Sequence, residues 1–278
     1  NPQAQQVLLS MIIGDVFEKE YGDKVSAQEV DDAYNDMAEQ YGDSFASALA
    51  SAGLTEETYK DQIRTNKLVE YAVKKAAEKE LTDDAYKSAY EAYTPEVTAR
   101  IIRLDDETKA KEVLASAQAE GADFAQLAKD NSNDTDTKDD GGKITFDSSS
   151  TTVPTEVKTA IFALDAGQVG ASVISVLDTS TYTTSYYVVK LESKTEKSDN
   201  WEDYKDKLKE IILAEKQADS TFVSNVIKTA LQDANVKVKD SAFQNLLSQY
   251  ITTEESSSST ESSTESSSST TESSSSGE

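Results

Sequence analysis

Apolar residues open the chain at helical spacing. Leu8, Ile12 and Val16 recur four apart with Leu9, Ile13 and Phe17 beside them, one wide stripe on a helix. "SAQE" (Ser26–Glu29) has the spacing of a capping box. It predicts a second helix with Val30, Tyr34, Met37 and Tyr41 on one face. Thr55 can cap a longer helix through Tyr59, Ile63, Leu68 and Ala72. Thr82, followed by Asp83 and Asp84 at the positive end of the helix dipole, opens another. From Gln3 to about Tyr93 the pattern is helical throughout.

After "TPE" (Thr94–Glu96) the periodicity changes. "VTARIIRL" (Val97–Leu104) is β-branched and apolar enough for a strand. Asp105–Glu120 reads as a helix with Val113, Leu114 and Ala117 inward, ended by Gly121. Asp123 can cap a short helix carrying Phe124, Leu127 and Ala128. A dense Asp/Asn/Ser/Thr run follows, then a short strand at Lys143–Phe146 and a Ser/Thr loop. The remaining elements are a helix from about Thr155 to Leu164, the turn "AGQVG", and strands near Val169–Leu177 and Ser185–Leu191. That order, β-α-α-β-α-β-β, predicts a compact mixed domain set between helical regions, an α+β chain.

Trp201–Gln232 is helical again, with Tyr204, Leu208, Ile211, Ile212, Phe222, Val226 and Leu231 on its apolar face. A smaller amphipathic piece, Ala242–Ile251, follows. Beyond Thr252 the chain is almost wholly Ser, Thr and Glu and cannot offset its own conformational entropy, so disorder is expected there. The expected boundaries are a helical region over 1–95, the mixed domain over 96–196, a second helical region over 197–252, and a tail over 253–278.

Composition closes several function classes. The 278 residues carry 27 Lys+Arg against 52 Asp+Glu, a formal net charge of −25. Such a surface repels nucleic acid and anionic lipid, so neither is expected as a direct partner. With no Cys and no His, there is no disulfide framework, no thiolate nucleophile, no ordinary Ser-His triad and no imidazole metal ligand. No cofactor is implied. No apolar run approaches the roughly 20 residues of a membrane span. "VLLSMII" (Val7–Ile13) is too short and lacks a basic leader. Beginning at Asn1, the chain reads as a mature or trimmed product.

The run "LAKDNSNDTDTKDDGGKITF" (Leu127–Phe146) invites a calcium reading. Counted from Asp136, Asp140 falls at loop position five, Gly141 at six and Asp147 at twelve, but Lys138 occupies position three, where a ligand must sit. The flanking helix pair is missing too. A solvated loop is the simpler reading, and no metal is expected.

The frame around that loop points elsewhere. "TARIIRL", "GADFAQLAKDNSNDTDTKDDGG", "VKTAIFALDAGQVG" and "SYYVVKL" resemble, in order, the first strand, the second helix with its loop to paired glycines, the third helix with its turn, and the last strand of parvulin peptidyl-prolyl isomerases. That likeness covers Val97–Lys194. The whole chain resembles the PrsA-type foldases of Gram-positive bacteria, which place a parvulin domain between helical regions that form a chaperone-like lobe. The resemblance rests on the order of elements and on the glycine and helix motifs together.

It implies a site and two departures from it. The family's first-strand histidine is replaced by Ile101 and its last-strand histidine by Tyr187. The acid or thiol seven residues before the paired glycines is kept as Asp134, which makes the loop the rim of a groove. By the same resemblance Ile144, Val153 and Val157 line the proline pocket, with Ile101, and Thr184 stands for the family's Ser or Thr three before the second histidine. Asp134 and Tyr187 are thus the polar catalytic candidates; Ile101, Ile144, Val153, Val157 and Thr184 the substrate-binding ones. Each also has a plain reading. Asp134 can cap a turn, Tyr187 suits a strand by propensity, and the aliphatic residues suit a core.

Rotation about an X–Pro bond faces a barrier of roughly 18–20 kcal/mol. A catalyst must hold the twisted imide better than the planar one, with an apolar seat and poised hydrogen bonds. Ile101 cannot join a polar network, so prolyl isomerase activity is expected to be weak or lost. Two functions stay open. One is an extracytoplasmic foldase that binds unfolded or partly folded secreted polypeptides, its 13 tyrosines offering tolerant contacts. The resemblance adds a concave surface framed by the helical lobes, a lipid anchor on a cysteine absent from this chain, and a possible homodimer. The other is a surface-displayed adhesion or interaction module with no foldase role, the Ser/Thr/Glu segment serving as stalk.

Overall fold

The computed structural model describes residues 2–237 together with Leu246, Leu247 and Tyr250. The expected tail, and the piece at Ala242–Ile251 apart from those three residues, lie outside the described residues. The chain forms two compact units, one built from Asn1–Ala72 and the chain from Ser224 onward, the other from Val73–Val223.

The first unit begins with α1 (Pro2–Tyr21), α2 (Ala27–Tyr41), α3 (Phe45–Ser51) and most of α4 (Glu56–Glu78). Ser26 closes the capping box that its spacing predicts: its hydroxyl accepts from the Glu29 N–H while the Glu29 carboxylate accepts from the Ser26 N–H. Thr55 caps α4 by accepting from the Thr58 N–H at 3.2 Å. On α1 the side of Leu9, Ile13 and Phe17 turns inward, and Phe17 is 1% exposed. Tyr34, Phe45 and Tyr59 pack edge to face, with centroids 5.3–6.1 Å apart. These tyrosines are helix-packing residues. The stripe on α2 stops one turn early, because Tyr41 at the helix end is 50% exposed.

One arginine ties the end of α1 to α4. Arg64 donates twice to the Glu18 carboxylate, at 2.8 and 2.9 Å, and once each to the Val25 and Gly22 carbonyls. That bonding lowers the Glu18 pKa, so its share of stability is present above the ordinary carboxylate range and fades as pH falls through the lowered value. Arg64→Ala is expected to cost about 1–2 kcal/mol, because the pair is solvent-touched but four hydrogen bonds go at once. Faster amide exchange in α1 and α4 in the variant would report it; unchanged exchange would show that the clamp is idle.

The second unit runs through the end of α4, α5 (Asp83–Ala92), β1 (Val97–Leu104), α6 (Glu107–Ala117), α7 (Phe124–Asn131), β2 (Lys143–Phe146), α8 (Thr155–Phe162), β3 (Ile174–Asp178), β4 (Thr183–Lys194) and α9 (Lys205–Ala218); α10 (Ser220–Asp233) starts in it and continues into the first. The four strands form one antiparallel sheet in the order β2-β1-β4-β3. One face carries α8 over Val97, Ala99, Ile101, Val189 and Leu191. The other carries α6 and α7 over Ile102, Leu104 and Val188. Both faces are covered, which is why β1 and the centre of β4 read as continuous apolar runs.

Several boundaries differ from the sequence reading: α8 stops at Phe162 and β4 runs from Thr183 to Lys194. α6 ends at Ala117, and Gly121 sits in the turn beyond it at φ +74°. The strand expected over Val169–Leu177 is confined to Ile174–Asp178, with Val169 making only an isolated bridge to Lys190. The helix expected over Trp201–Gln232 is a 3-10 turn followed by α9 and α10, broken at Asp219, whose carboxylate accepts from the Thr221 and Phe222 N–H groups and starts α10.

Within this unit α5 and α9 pack beside the sheet domain. Tyr86 stacks on Trp201 at 5.2 Å, and Leu208 and Ile212 fill the seam. Lys197 donates to the Tyr90 and Tyr93 carbonyls at the C-terminal end of α5, both at 2.6 Å. Tyr93 in turn donates to Asp147, which Lys207 also reaches at 3.1 Å. Burial pushes the Asp147 carboxyl up, but Ser149 and Lys207 outweigh it and leave its pKa below the ordinary value.

Candidate functional site

The Asp/Asn run folds back onto β1 because that strand outlasts its partner. β2 pairs with β1 only over Val97–Arg100. Beyond that the loop supplies the bonds: the Ile101 N–H donates to the Gly142 carbonyl at 2.8 Å, and the Asn133 N–H to the Arg103 carbonyl at 2.7 Å. Ser132, 3% exposed, accepts from the N–H groups of Arg103 and Asp134, both at 3.2 Å. Arg100 closes the other end by donating to the Asp140 and Gly141 carbonyls. Gly142 is required here. Its φ is +76°, and a Cβ would lie 2.1 Å from the Ile101 carbonyl oxygen.

Within that loop Asp134 is half-buried and turned toward its own turn. It accepts from the Thr137 hydroxyl at 2.6 Å and the Asp136 N–H at 3.4 Å. Tyr187 is paired with Arg103 on one side and Ile174 on the other, 9% exposed, on the α8 face. Burial raises its pKa; Arg103 opposes that rise, while Asp134 and Asp105 add to it. The hydroxyl therefore keeps its proton at neutral pH. Ile101, Val153, Val157 and Tyr187 share one cluster with Ile144 packed against it, and Val157 is 0% exposed. The structure thus gathers Asp134, Tyr187, Ile101, Ile144, Val153 and Val157 around one face of the sheet, with Val157 sealed inside it.

Thr184 is a correction. The β3–β4 register is regular, pairing Leu177 with Thr184, Val176 with Ser185 and Ile174 with Tyr187. Alternation then places Thr184 with Tyr186 on the α6/α7 face, opposite Tyr187. Ser185 shares the Tyr187 face. Arg103 was also missed. It follows Ile101 by two along β1, so the same alternation, applied to a cation in an apolar strand, would have found it. Its Nε is buried without a hydrogen-bond partner, and its Nη2 lies 3.8 Å from Asp105. The face can seat an apolar ring and donate from Tyr187 and Arg103. It has no histidine.

Residues 92–193 match the family described as Rotamase: PPIC-type PPIASE domain. The foldase protein PrsA of Streptococcus gordonii is 64% identical over 258 residues, 93% of this chain and 83% of that protein. The crystal structure of the PrsA foldase from Streptococcus pneumoniae is 59% identical, with a TM-score of 0.84 over 90% of this chain and 92% of that one. The Lactococcus lactis PrsA structure is 36% identical, with a TM-score of 0.72 over 88% of both chains. Among the described residues no helix is long and apolar enough to cross a membrane. The α+β order of elements, the sheet domain with its loop to paired glycines, and relatives at this identity agree: the chain belongs to the PrsA foldase family, extracytoplasmic foldases that carry a parvulin-type domain.

Proposed function

We propose that this foldase holds unfolded secreted polypeptides and that its parvulin domain turns proline bonds slowly or not at all. One observation carries the reading: the two positions where parvulins place histidines are Ile101 and Tyr187, packed in a single apolar cluster. The Asp134 carboxylate is bonded within its own loop. An imide that twists on this face meets a seat and two donors but no imidazole pair to orient them. Asp134 and Tyr187 act as the polar contacts. Ile101, Ile144 and Val153 form the apolar wall, backed by Val157.

A lipid tether at the outer face of the cell membrane and pairing of two copies belong to the same reading, and both are taken from kinship. The helical regions over 1–95 and 197–252 act as the holding surface, and the domain over 96–196 as scaffold and second contact. The net charge of −25 favours basic client segments and keeps loaded complexes soluble.

Holding is tested by adding the purified chain to a reduced, unfolding protein and following light scattering. Suppression of aggregation near stoichiometric ratios is expected. Undiminished aggregation at large excess would instead favour the surface module with no foldase role. In the same assay Tyr187→Phe is expected to leave holding intact, since the parvulin face is not its main seat.

A further inference from the structure

The first unit contains a cleft unrelated to the parvulin face. It has a volume of about 530 Å³ and lies between α1, the turn at Gly53 and Leu54, and α4. That falls within the roughly 300–1,000 Å³ range of ligand sites. Leu68, 1% exposed, and Leu54 lie at its apolar base, while Val7 and Met11, one turn apart on α1, are 51% and 61% exposed. Two large apolar side chains left in water beside a cleft mark a surface that expects company. Met11 is unbranched and polarisable, suited to partners of varied shape.

The rim sets the sign of the partner. Asp15, Glu18 and Asp61 line the cleft with a single cation, Arg64. Arg64 spends four of its five N–H donors on Glu18 and the Val25 and Gly22 carbonyls. Among the described residues Asp15 and Asp61 meet no cation, and they stand on opposite walls, one on α1 and one on α4. An apolar base between two unpaired carboxylates is complementary to an apolar residue flanked by lysine or arginine. It disfavours an acidic segment by like-charge repulsion.

We propose that this cleft is a binding site for short apolar segments flanked by basic residues in unfolded polypeptide. The apolar side chain rests on Met11, Leu54 and Leu68, and its basic neighbours face Asp15 and Asp61. The inference rests on the holding role above and gives that role a seat and a sequence preference.

The test uses fluorescein-labelled peptides of alternating Leu and Lys, or Leu and Glu, and reads anisotropy against the full chain. The Leu/Lys peptide is expected to bind, more weakly as salt rises, and the Leu/Glu peptide at least about tenfold less well. Met11→Ser should weaken Leu/Lys binding about tenfold, and Asp15→Asn with Asp61→Asn roughly five- to tenfold. Met11, Asp15 and Asp61 are exposed, so unchanged thermal melting should accompany both. Equal binding of the two peptides, or unchanged binding in both variants, overturns the site. So does a fall in sedimenting mass on Met11→Ser, which would make the cleft a contact between copies. If aggregation is still suppressed while the variants bind peptide normally, only the cleft fails and the holding role stands.

Discussion

Gly142→Ala is expected to cost the second unit about 3 kcal/mol or more. The new methyl carbon would start 2.1 Å from the Ile101 carbonyl oxygen on a backbone held at φ +76°. Left-handed strain in a non-glycine residue accounts for roughly 1–3 kcal/mol, and the Ile101-to-Gly142 hydrogen bond it displaces for about 1 more. Gly121→Ala separates the two causes. Its φ is +74°, but nothing lies within 4 Å of a Cβ there, so only the backbone term applies, about 1 kcal/mol. Urea unfolding of both variants measures the gap. Equal losses would mean that the loop relaxes away from β1 freely and does not hold the far end of that strand.

The second large effect is expected from Leu208→Ala, at about 3 kcal/mol. Leu208 is fully buried between α9 and α5, next to Tyr86, Tyr93 and Ile212, and its removal leaves a cavity that ring-rich neighbours collapse into poorly. The informative part is how the loss is distributed. Near-ultraviolet dichroism from Trp201 and amide protection in β1 and β4 should fall together. Lys197, Tyr93 and Asp147 bind the helix pair to the sheet domain inside one compact unit. A variant that loses the Trp201 signal while the sheet keeps its protection would place a folding boundary near residues 96 and 196.

The elements that were legible were those with a local cause. Ser26, Thr55, Thr82 and Asp123 each cap a helix through a bond to a backbone N–H three residues on, so a few side chains announced each start. β1 was legible to the residue because a strand covered on both faces is apolar at every position but Thr98 and its two arginines. What failed depended on partners far along the chain. Val169–Val173 carries Gly170, Ala171 and Ser172 between its two valines and touches β4 only at its start, through the Val169–Lys190 bridge and the bond from the Gly170 N–H to the Val189 carbonyl; the break at Asp219 looked like one more polar position in a helical run. The loop between α7 and β2 showed its glycines, but not that it stands in for β2 along the end of β1.

The candidate face followed the same division. Ile101 and Tyr187 could be placed from motif order, because they lie in strands whose register the sequence pins. Thr184 could not, since its side depends on whether the β3–β4 hairpin carries a bulge near the turn. It does not. Alternation puts Arg103 on the Ile101 face, but that a cation is tolerated there with its Nε buried and unpartnered is not visible in the strand pattern. That Asp134 bonds to Thr137 is a fact of loop geometry, which composition alone leaves open.

The most direct measurement is a protease-coupled assay on proline tetrapeptides, with the full chain, Asp134→Ala, and the pair Ile101→His with Tyr187→His. Little acceleration is expected from the chain and no further loss from Asp134→Ala. The paired variant is expected to gain activity only in part, because it restores the two imidazoles while Val157 stays sealed in the core. Strong acceleration by the unaltered chain, abolished by Asp134→Ala, would contradict the account: the loop carboxylate would then be turning imide bonds without any imidazole beside it.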